Sequence, residues 1–372
     1  MKKLRRARFV AVIASVVVTA PLMVSGAASA APRVDCAAPG AAQEFERRDA
    51  ESLGIDGTLL AEALTFGERT GGLAIQVYRH GCLVDSRGIA QDVPLPMYSV
   101  TKGVTALAVG RAVTLGHVNV DDTLGKFFPH ADDAHRGLTV RQVLNQTTGL
   151  EFSWGQDTEA LRDQVEDTLN RPLIYAPGTT FQYAQSVLSL LPRIIEISTG
   201  RDFFEFVQSE LFGPVGIERG NWNWLTDGAG TAVASGGLSL RATDLARLGQ
   251  FMMEDGRDLI SSSYMKQLRT PTDANGGYGF LTWLNGDGWY RGVEVPTSLY
   301  HNVPIFPGMP DDTFAFAGAL GQFVFVIPSE GIMIVRLGVP TRINFGDPTA
   351  TLTGASNPDN KEFFSRIGRS FS

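Results

Sequence analysis

Apolar positions recur along this chain with two periods, and the period assigns most of the elements. Between residues 98 and 117, Val104, Leu107, Ala108, Ala112 and Leu115 follow helical spacing behind the polar Ser99, which predicts a helix that begins beside that serine. Pro94-Leu95-Pro96-Met97 just ahead of it disfavours helix, so the start is sharp. A helix is also expected over 51–69, with Leu53, Ile55, Leu59, Leu60 and Leu64 on or near one side. Another is expected over 187–198, closed by Gly200, with Pro192 marking either a kink or the true boundary. Period-two runs predict strands at 73–78 and 82–85 around the turn His80-Gly81, and at 322–327 and 332–337 around 328–331. Residues 118–124 and 138–144 read as short helical or turn elements, 151–172 as polar and partly helical, and 360–371 as a closing helix that offers Phe363, Phe364 and Ile367 for packing. There is no internal repeat and no low-complexity linker.

The front of the chain changes the picture of where the protein works. Lys2, Lys3, Arg5, Arg6 and Arg8 precede an apolar run over 9–24, and Ala28-Ser29-Ala30 offers small residues at a cut site. This is the pattern of a secretory signal peptide over 1–30, leaving 31–372 as the mature domain. A membrane anchor is the competing reading, but Pro21 interrupts the run and it is short for a span. Arg5-Arg6 leaves the general and twin-arginine export routes both open. Residues 1–30 hold five basic and no acidic side chains, so the formal charge of −7 becomes −12 once they are removed. An acidic mature chain disfavours nucleic acid or an anionic membrane as partner. The composition is that of an ordinary globular protein, large enough for one domain or two lobes around a shared core. Its two cysteines, Cys36 and Cys82, both lie in the exported part, which makes a single disulfide between them plausible beside the alternative of two buried thiols. Without a histidine cluster nearby they form no metal site, and no cofactor is expected. Oligomeric state is left open.

Candidate chemistry starts at Ser99 and Lys102. Three residues apart on a helix, they share a face at its N-terminal end, where free backbone N–H groups also point outward. A serine hydroxyl becomes a useful nucleophile when a base takes its proton, and a buried lysine can be that base. The plainer alternative is a capping serine beside a solvated lysine. Tyr183 lies at the entrance to the 187–198 helix, either as a packing anchor or as a proton relay beside Ser99. Asp121 and Asp122 read as cap residues rather than as an acid pair.

Four segments together carry more weight than the Ser99–Lys102 spacing: Tyr98-Ser99-Val100-Thr101-Lys102, Val143 through Leu150, Pro177 through Tyr183, and Ala234 through Arg247. In order and spacing they resemble the serine beta-lactamase-related hydrolases, the group of class C beta-lactamases, DD-peptidases, family VIII esterases and 6-aminohexanoate-dimer hydrolases. The resemblance spans about Gly71 to Leu337. It implies an α+β fold of two lobes, an antiparallel sheet flanked by helices plus a mainly helical lobe, with the site between them. It further implies Ser99 as nucleophile, and Lys102 and Tyr183 sharing its proton, with an ammonium at Lys102 making Tyr183 the better base. The oxyanion would be held by the amides of Ser99 and Ala319, and Gln185 and Gly318 would contact substrate. Two departures matter. Gln185 stands where the family often has asparagine, and 314–322 has no basic counterpart to the family's Lys-Thr-Gly or His-x-Gly motif. The Gly318-Ala319-Leu320-Gly321-Gln322 ending and the segment 278–284 look most like the 6-aminohexanoate-dimer hydrolase branch. The resemblance thus implies a secreted hydrolase acting on a small ester or amide, the alternative being an idle relative that binds peptidoglycan-like ligands. Arg291, Arg336 and Arg342 are the side chains that could supply the missing positive charge.

Overall fold

The computed structural model describes residues 35–41, 43–153, 162–294, 298–339 and 357–371; the leader expected at 1–30 and Arg342 lie outside them. In chain order the helices are α1 Gly57–Arg69, α2 Val100–Thr114, α3 Asp133–Arg136, α4 Val140–Leu144, α5 Gln164–Leu169, α6 Leu190–Thr199, α7 Phe203–Val207, α8 Ala242–Met253, α9 Ser262–Leu268 and α10 Pro358–Ser370. The strands are β1 Gly72–Arg79, β2 Cys82–Arg87, β3 Leu95–Pro96, β4 Asn223–Trp224, β5 Leu238–Leu240, β6 Trp283–Leu284, β7 Tyr290–Arg291, β8 Tyr300–His301, β9 Phe314–Gly318, β10 Gln322–Ile327 and β11 Ile332–Gly338. The fold is α+β.

Six strands form an antiparallel sheet in the order β2-β1-β11-β10-β9-β6. The two hairpins expected from the sequence therefore meet along β1 and β11, where Val77 pairs with Ile334. Every residue of β9, β10 and β11 is buried, because helices cover both faces. On one face α1 and α10 pack, with Phe364 against Phe325 at a ring separation of 4.2 Å. On the other, α2 and α8 come close through glycines. A Cβ on Gly103 would meet the Phe316 ring at 2.1 Å, and one on Gly249 would meet the Met333 sulfur at 2.1 Å. Glycine lowers helix propensity at both positions, and here close packing against the sheet outweighs that loss.

α2 is buried on all sides from Val100 to Gly110, the behaviour of a central helix rather than a surface one. It carries Ser99 at its start and Lys102 in its first turn. A small sheet, β3-β5-β4, fixes that start: the Met97 N–H donates to Leu238 O at 2.8 Å.

Several boundaries differ from the pattern reading. The helix expected over 51–69 divides, because Gly54 takes a left-handed φ of 72° and Asp56 caps a new helix by accepting from the Leu59 N–H at 2.9 Å. Pro192 does mark a boundary: it is the third residue of α6, where its missing N–H has no intrahelical partner to lose, and a 3₁₀ turn, Ser186–Ser189, precedes it. Asp121 binds Arg141 at 2.6 Å and Asp122 binds Lys126 at 2.7 Å, so both are structural.

Cys36 and Cys82 are joined by a disulfide. It ties the amino-terminal tail to β2 across 46 residues, a closure worth at most about 4 kcal/mol in the chain-entropy account. Arg247 of α8 holds the same tail by donating to the carbonyls of Pro39 and Gly40, each at 3.0 Å.

Candidate active site

The turn ahead of α2 is bent sharply. Tyr98 has a positive φ of 46°, and the Val100 N–H closes the turn on Met97 O at 3.1 Å. Ser99 then takes helical angles, yet its side chain makes no cap bond. Its hydroxyl receives the Lys102 Nζ at 2.9 Å instead.

Lys102 is 1% exposed. Besides Ser99 Oγ, its Nζ lies 2.6 Å from Gln185 Oε1 and 2.7 Å from Ser235 O. All three partners are neutral. The two carbonyl oxygens can only accept, so Nζ donates to both, and the Ser99 hydroxyl lies within hydrogen-bond reach of the same nitrogen. The arrangement brings a lysine nitrogen and a serine hydroxyl together at the start of α2. Gln185 is kept the right way round by its own amide, whose Nε2 donates to Tyr183 O at 2.8 Å. Expected to meet substrate, its buried side chain is here engaged with Lys102 and the Tyr183 backbone.

Tyr183 is 4% exposed, and Lys102 Nζ sits 4.8 Å from its ring centroid. The ring packs against Trp283 at 5.5 Å and edge-on to Tyr278 at 6.1 Å. Burial pushes the phenol well above its ordinary range, only partly opposed by the side chains of Ser99 and Trp283 acting on the hydroxyl. Burial thus works against the expectation that Tyr183 serves as the base. Burial favours the neutral phenol, and Lys102 Nζ faces the ring.

The residues expected to form the oxyanion side lie where β9 ends against the start of α2. A Cβ on Gly318 would lie 2.4 Å from Met97 O and 3.1 Å from the amide nitrogens of Ser99 and Val100. Only glycine permits that approach, although its backbone there is ordinary extended chain, with φ −125°. Ala319 follows directly, and Leu320 turns the chain with a left-handed φ of 62°.

Two of the arginines considered for substrate charge, Arg336 and Arg291, lie among the described residues. Arg336 is buried on the α1 and α10 side of the sheet, donating to Gly321 O at 2.8 Å and Thr70 O at 2.9 Å. It shares that face with Ile75 and Phe323, its partners across the strands, while Ser99 lies on the α2 side. Arg291 donates to Ser298 O at 3.2 Å on the β7–β8 ribbon. Residues 301–313 are pinned by Asn285, which binds Phe306 N, Met309 O and Pro310 O. Phe306 packs on Phe325. Two site members had no role assigned from the sequence: Ser235, whose contribution is a backbone carbonyl that no side chain announces, and Trp283, visible there only as part of an aromatic segment.

The Beta-lactamase family model matches residues 58–338. The chain belongs to the beta-lactamase family. Ser99, Lys102, Tyr183 and Gln185 all fall inside the matched span. Among proteins similar to this beta-lactamase-family chain, an uncharacterized protein of Alkalihalophilus pseudofirmus is 22% identical over 296 residues, covering 72% of this chain and 81% of that one. Protein flp of Staphylococcus aureus is 26% identical over 165 residues, 39% of this chain and only 33% of that longer protein. A Bacillus anthracis protein provisionally named a 6-aminohexanoate-dimer hydrolase shares the fold, with TM-score 0.65, 18% identity and 91% of each chain covered. So does EstCE1, a hydrolase with promiscuous acyltransferase activity, with TM-score 0.60, 15% identity, and 83% of this chain and 99% of that one covered.

Proposed function

We propose that this member of the beta-lactamase family is an exported serine hydrolase that cleaves a neutral ester or amide through an acyl-enzyme on Ser99. The observation that carries the reading is the placement of Lys102 Nζ between two carbonyls and the Ser99 hydroxyl. Lys102 takes the hydroxyl proton as Oγ attacks the substrate carbonyl. The amides of Ser99 and Ala319 receive the oxyanion, with the positive end of α2 adding to the first. Tyr183 gives its phenolic proton to the departing oxygen or nitrogen and recovers one through Lys102. A water then attacks the acyl group by the reverse path and frees Ser99.

The surroundings favour an uncharged substrate. β9 offers Phe316 to α2 and glycine to the turn that carries Ser99, Arg336 is buried on the opposite face of the sheet, and the Arg291 guanidinium is engaged with Ser298 O. Burying an unpaired carboxylate costs on the order of several kcal/mol, which disfavours penicillins, cephalosporins and peptidoglycan peptides. Export is supported by the leader pattern at 1–30 and by the disulfide. No helix among the described residues is long and apolar enough to cross a membrane.

The test is labelling with a fluorophosphonate followed by peptide mapping, together with rates on p-nitrophenyl butyrate and a chromogenic cephalosporin. Modification of Ser99, loss of labelling in Ser99→Ala, and ester turnover well above cephalosporin turnover are expected. An unlabelled protein would point instead to the idle, ligand-binding alternative, and faster cephalosporin cleavage would overturn the argument from charge.

A further inference from the structure

The segment 143–150 takes no part in the chemistry above, yet its acceptors hold the loop that carries Tyr183. Gly149 O accepts from the N–H groups of Ile174 at 2.8 Å and Tyr175 at 3.1 Å, and Thr147 O accepts from Gly178 at 2.7 Å. Gln146 then makes two such bonds by itself. Its main-chain oxygen accepts from the Gln182 N–H at 3.0 Å, and its side-chain Oε1 accepts from the Ala184 N–H at 2.6 Å. These are the residues immediately before and after Tyr183.

Gln146 is 2% exposed and has a left-handed φ of 59°. For a residue with a Cβ that conformation costs roughly 1–2 kcal/mol, and it persists only where the neighbours over-determine it. They do so here. The Gln146 N–H donates to Val143 O at 3.1 Å and the Thr147 N–H to Gln142 O at 2.9 Å, which anchors the bend to the end of α4. Leu144 O also accepts from the Leu281 N–H at 3.0 Å, so the chain leading to Trp283 hangs from the same support.

We infer that Gln146 is a positioning residue that sets the place of the Tyr183 phenol, by bracketing it with two hydrogen bonds from one strained residue. The inference rests on the proposed role of Tyr183 as proton donor to the leaving group. A misplaced donor harms substrates unequally. An alkoxide needs a proton to leave, whereas p-nitrophenolate departs as a stable anion.

The experiment compares ethyl butyrate with p-nitrophenyl butyrate. Gln146→Gly suits the positive φ and removes Oε1, and Gln146→Met keeps the chain length while removing the acceptor. For both, kcat/KM, which reports the acylation step in which the leaving groups differ, should fall about 100-fold on the ethyl ester, within the range of acid–base assistance, and less than about 10-fold on the p-nitrophenyl ester. Tyr183→Phe should give the same pattern, and Gln146→Gly combined with Tyr183→Phe should be no worse than Tyr183→Phe alone. Equal loss on both esters, or losses that multiply in the double variant, would overturn the inference by reducing Gln146 to a structural part. If the unaltered protein is not labelled at Ser99, the hydrolase reading fails first and the positioning role falls with it.

Discussion

Replacing Gln185 by glutamate exchanges the amide nitrogen for oxygen and puts a carboxylate where Lys102 Nζ now meets a neutral oxygen at 2.6 Å. Opposite charges about 4 Å apart attract by about 4 kcal/mol at an effective dielectric of about 20, and this pair would be closer. Desolvation of the carboxylate is common to both forms of the lysine, so it cancels when amine and ammonium are compared. The attraction therefore makes the neutral amine scarcer by about three powers of ten. With Lys102 as the base for Ser99, kcat/KM for p-nitrophenyl butyrate should drop about 1000-fold near pH 7 and recover about tenfold for each pH unit above that. Gln185→Met is the control for the lost bond to Tyr183 O. It removes both hydrogen bonds without adding charge, and should lower the rate while leaving the pH profile in place. If Gln185→Glu stays within about tenfold of the unaltered enzyme, with the same profile, Lys102 is not the base.

Two further outcomes follow from packing and burial. Gly318→Ala drives a methyl into Met97 O and the Ser99 amide; overpacking of this kind costs about 1–3 kcal/mol, so reduced stability by urea unfolding and a lower kcat are expected, and an unchanged kcat would remove β9 from the oxyanion site. Burial raises the phenols of Tyr78, Tyr183, Tyr264 and Tyr278 above their ordinary range, so above about pH 10 the unfolded chain releases protons that the folded chain keeps, and stability falls. Arg336, which burial lowers to about 10, works the other way and offsets part of this loss; urea midpoints that stay level between about pH 9 and 11 would refute it.

Most of the sheet and the central helix were legible in the sequence, because both obey simple periods. Residues of β10 and β11 form continuous apolar runs, and Ser99 and Lys102 are neighbours by spacing alone. The break inside 51–69 was in principle readable, since Gly54 and Asp56 are a turn residue and a cap, but the apolar period runs across them. Tyr183 and Gln185 join the site through tertiary packing, which no local pattern encodes; position left Tyr183 open between packing anchor and relay, and only the family resemblance pointed to Gln185. The division of labour was not readable at all. Whether Tyr183 is base or acid depends on how deeply the ring is buried, and Ser235 acts through a main-chain oxygen that any residue would supply.

The rest of the site is hidden for a related reason: it is built where local preference is overridden. Among the described residues, glycines account for most left-handed positions, but seven other residues adopt one, and four of these flank the candidate site. Tyr98 precedes the nucleophile, Gln146 brackets Tyr183, Leu281 leads into Trp283, and Leu320 follows Ala319. None is a residue from which a positive φ would be expected, so propensity reads through them. At roughly 1–2 kcal/mol each, the four together reach several kcal/mol, a large part of the 5–15 kcal/mol by which domains are typically stable, about that range being usual. Such strain is tolerable because α2 and the sheet beneath it are buried on every side and hold the turns from behind. The same residues that keep the fold rigid thus keep Ser99, Lys102 and Tyr183 in a geometry that none of their own segments would adopt alone.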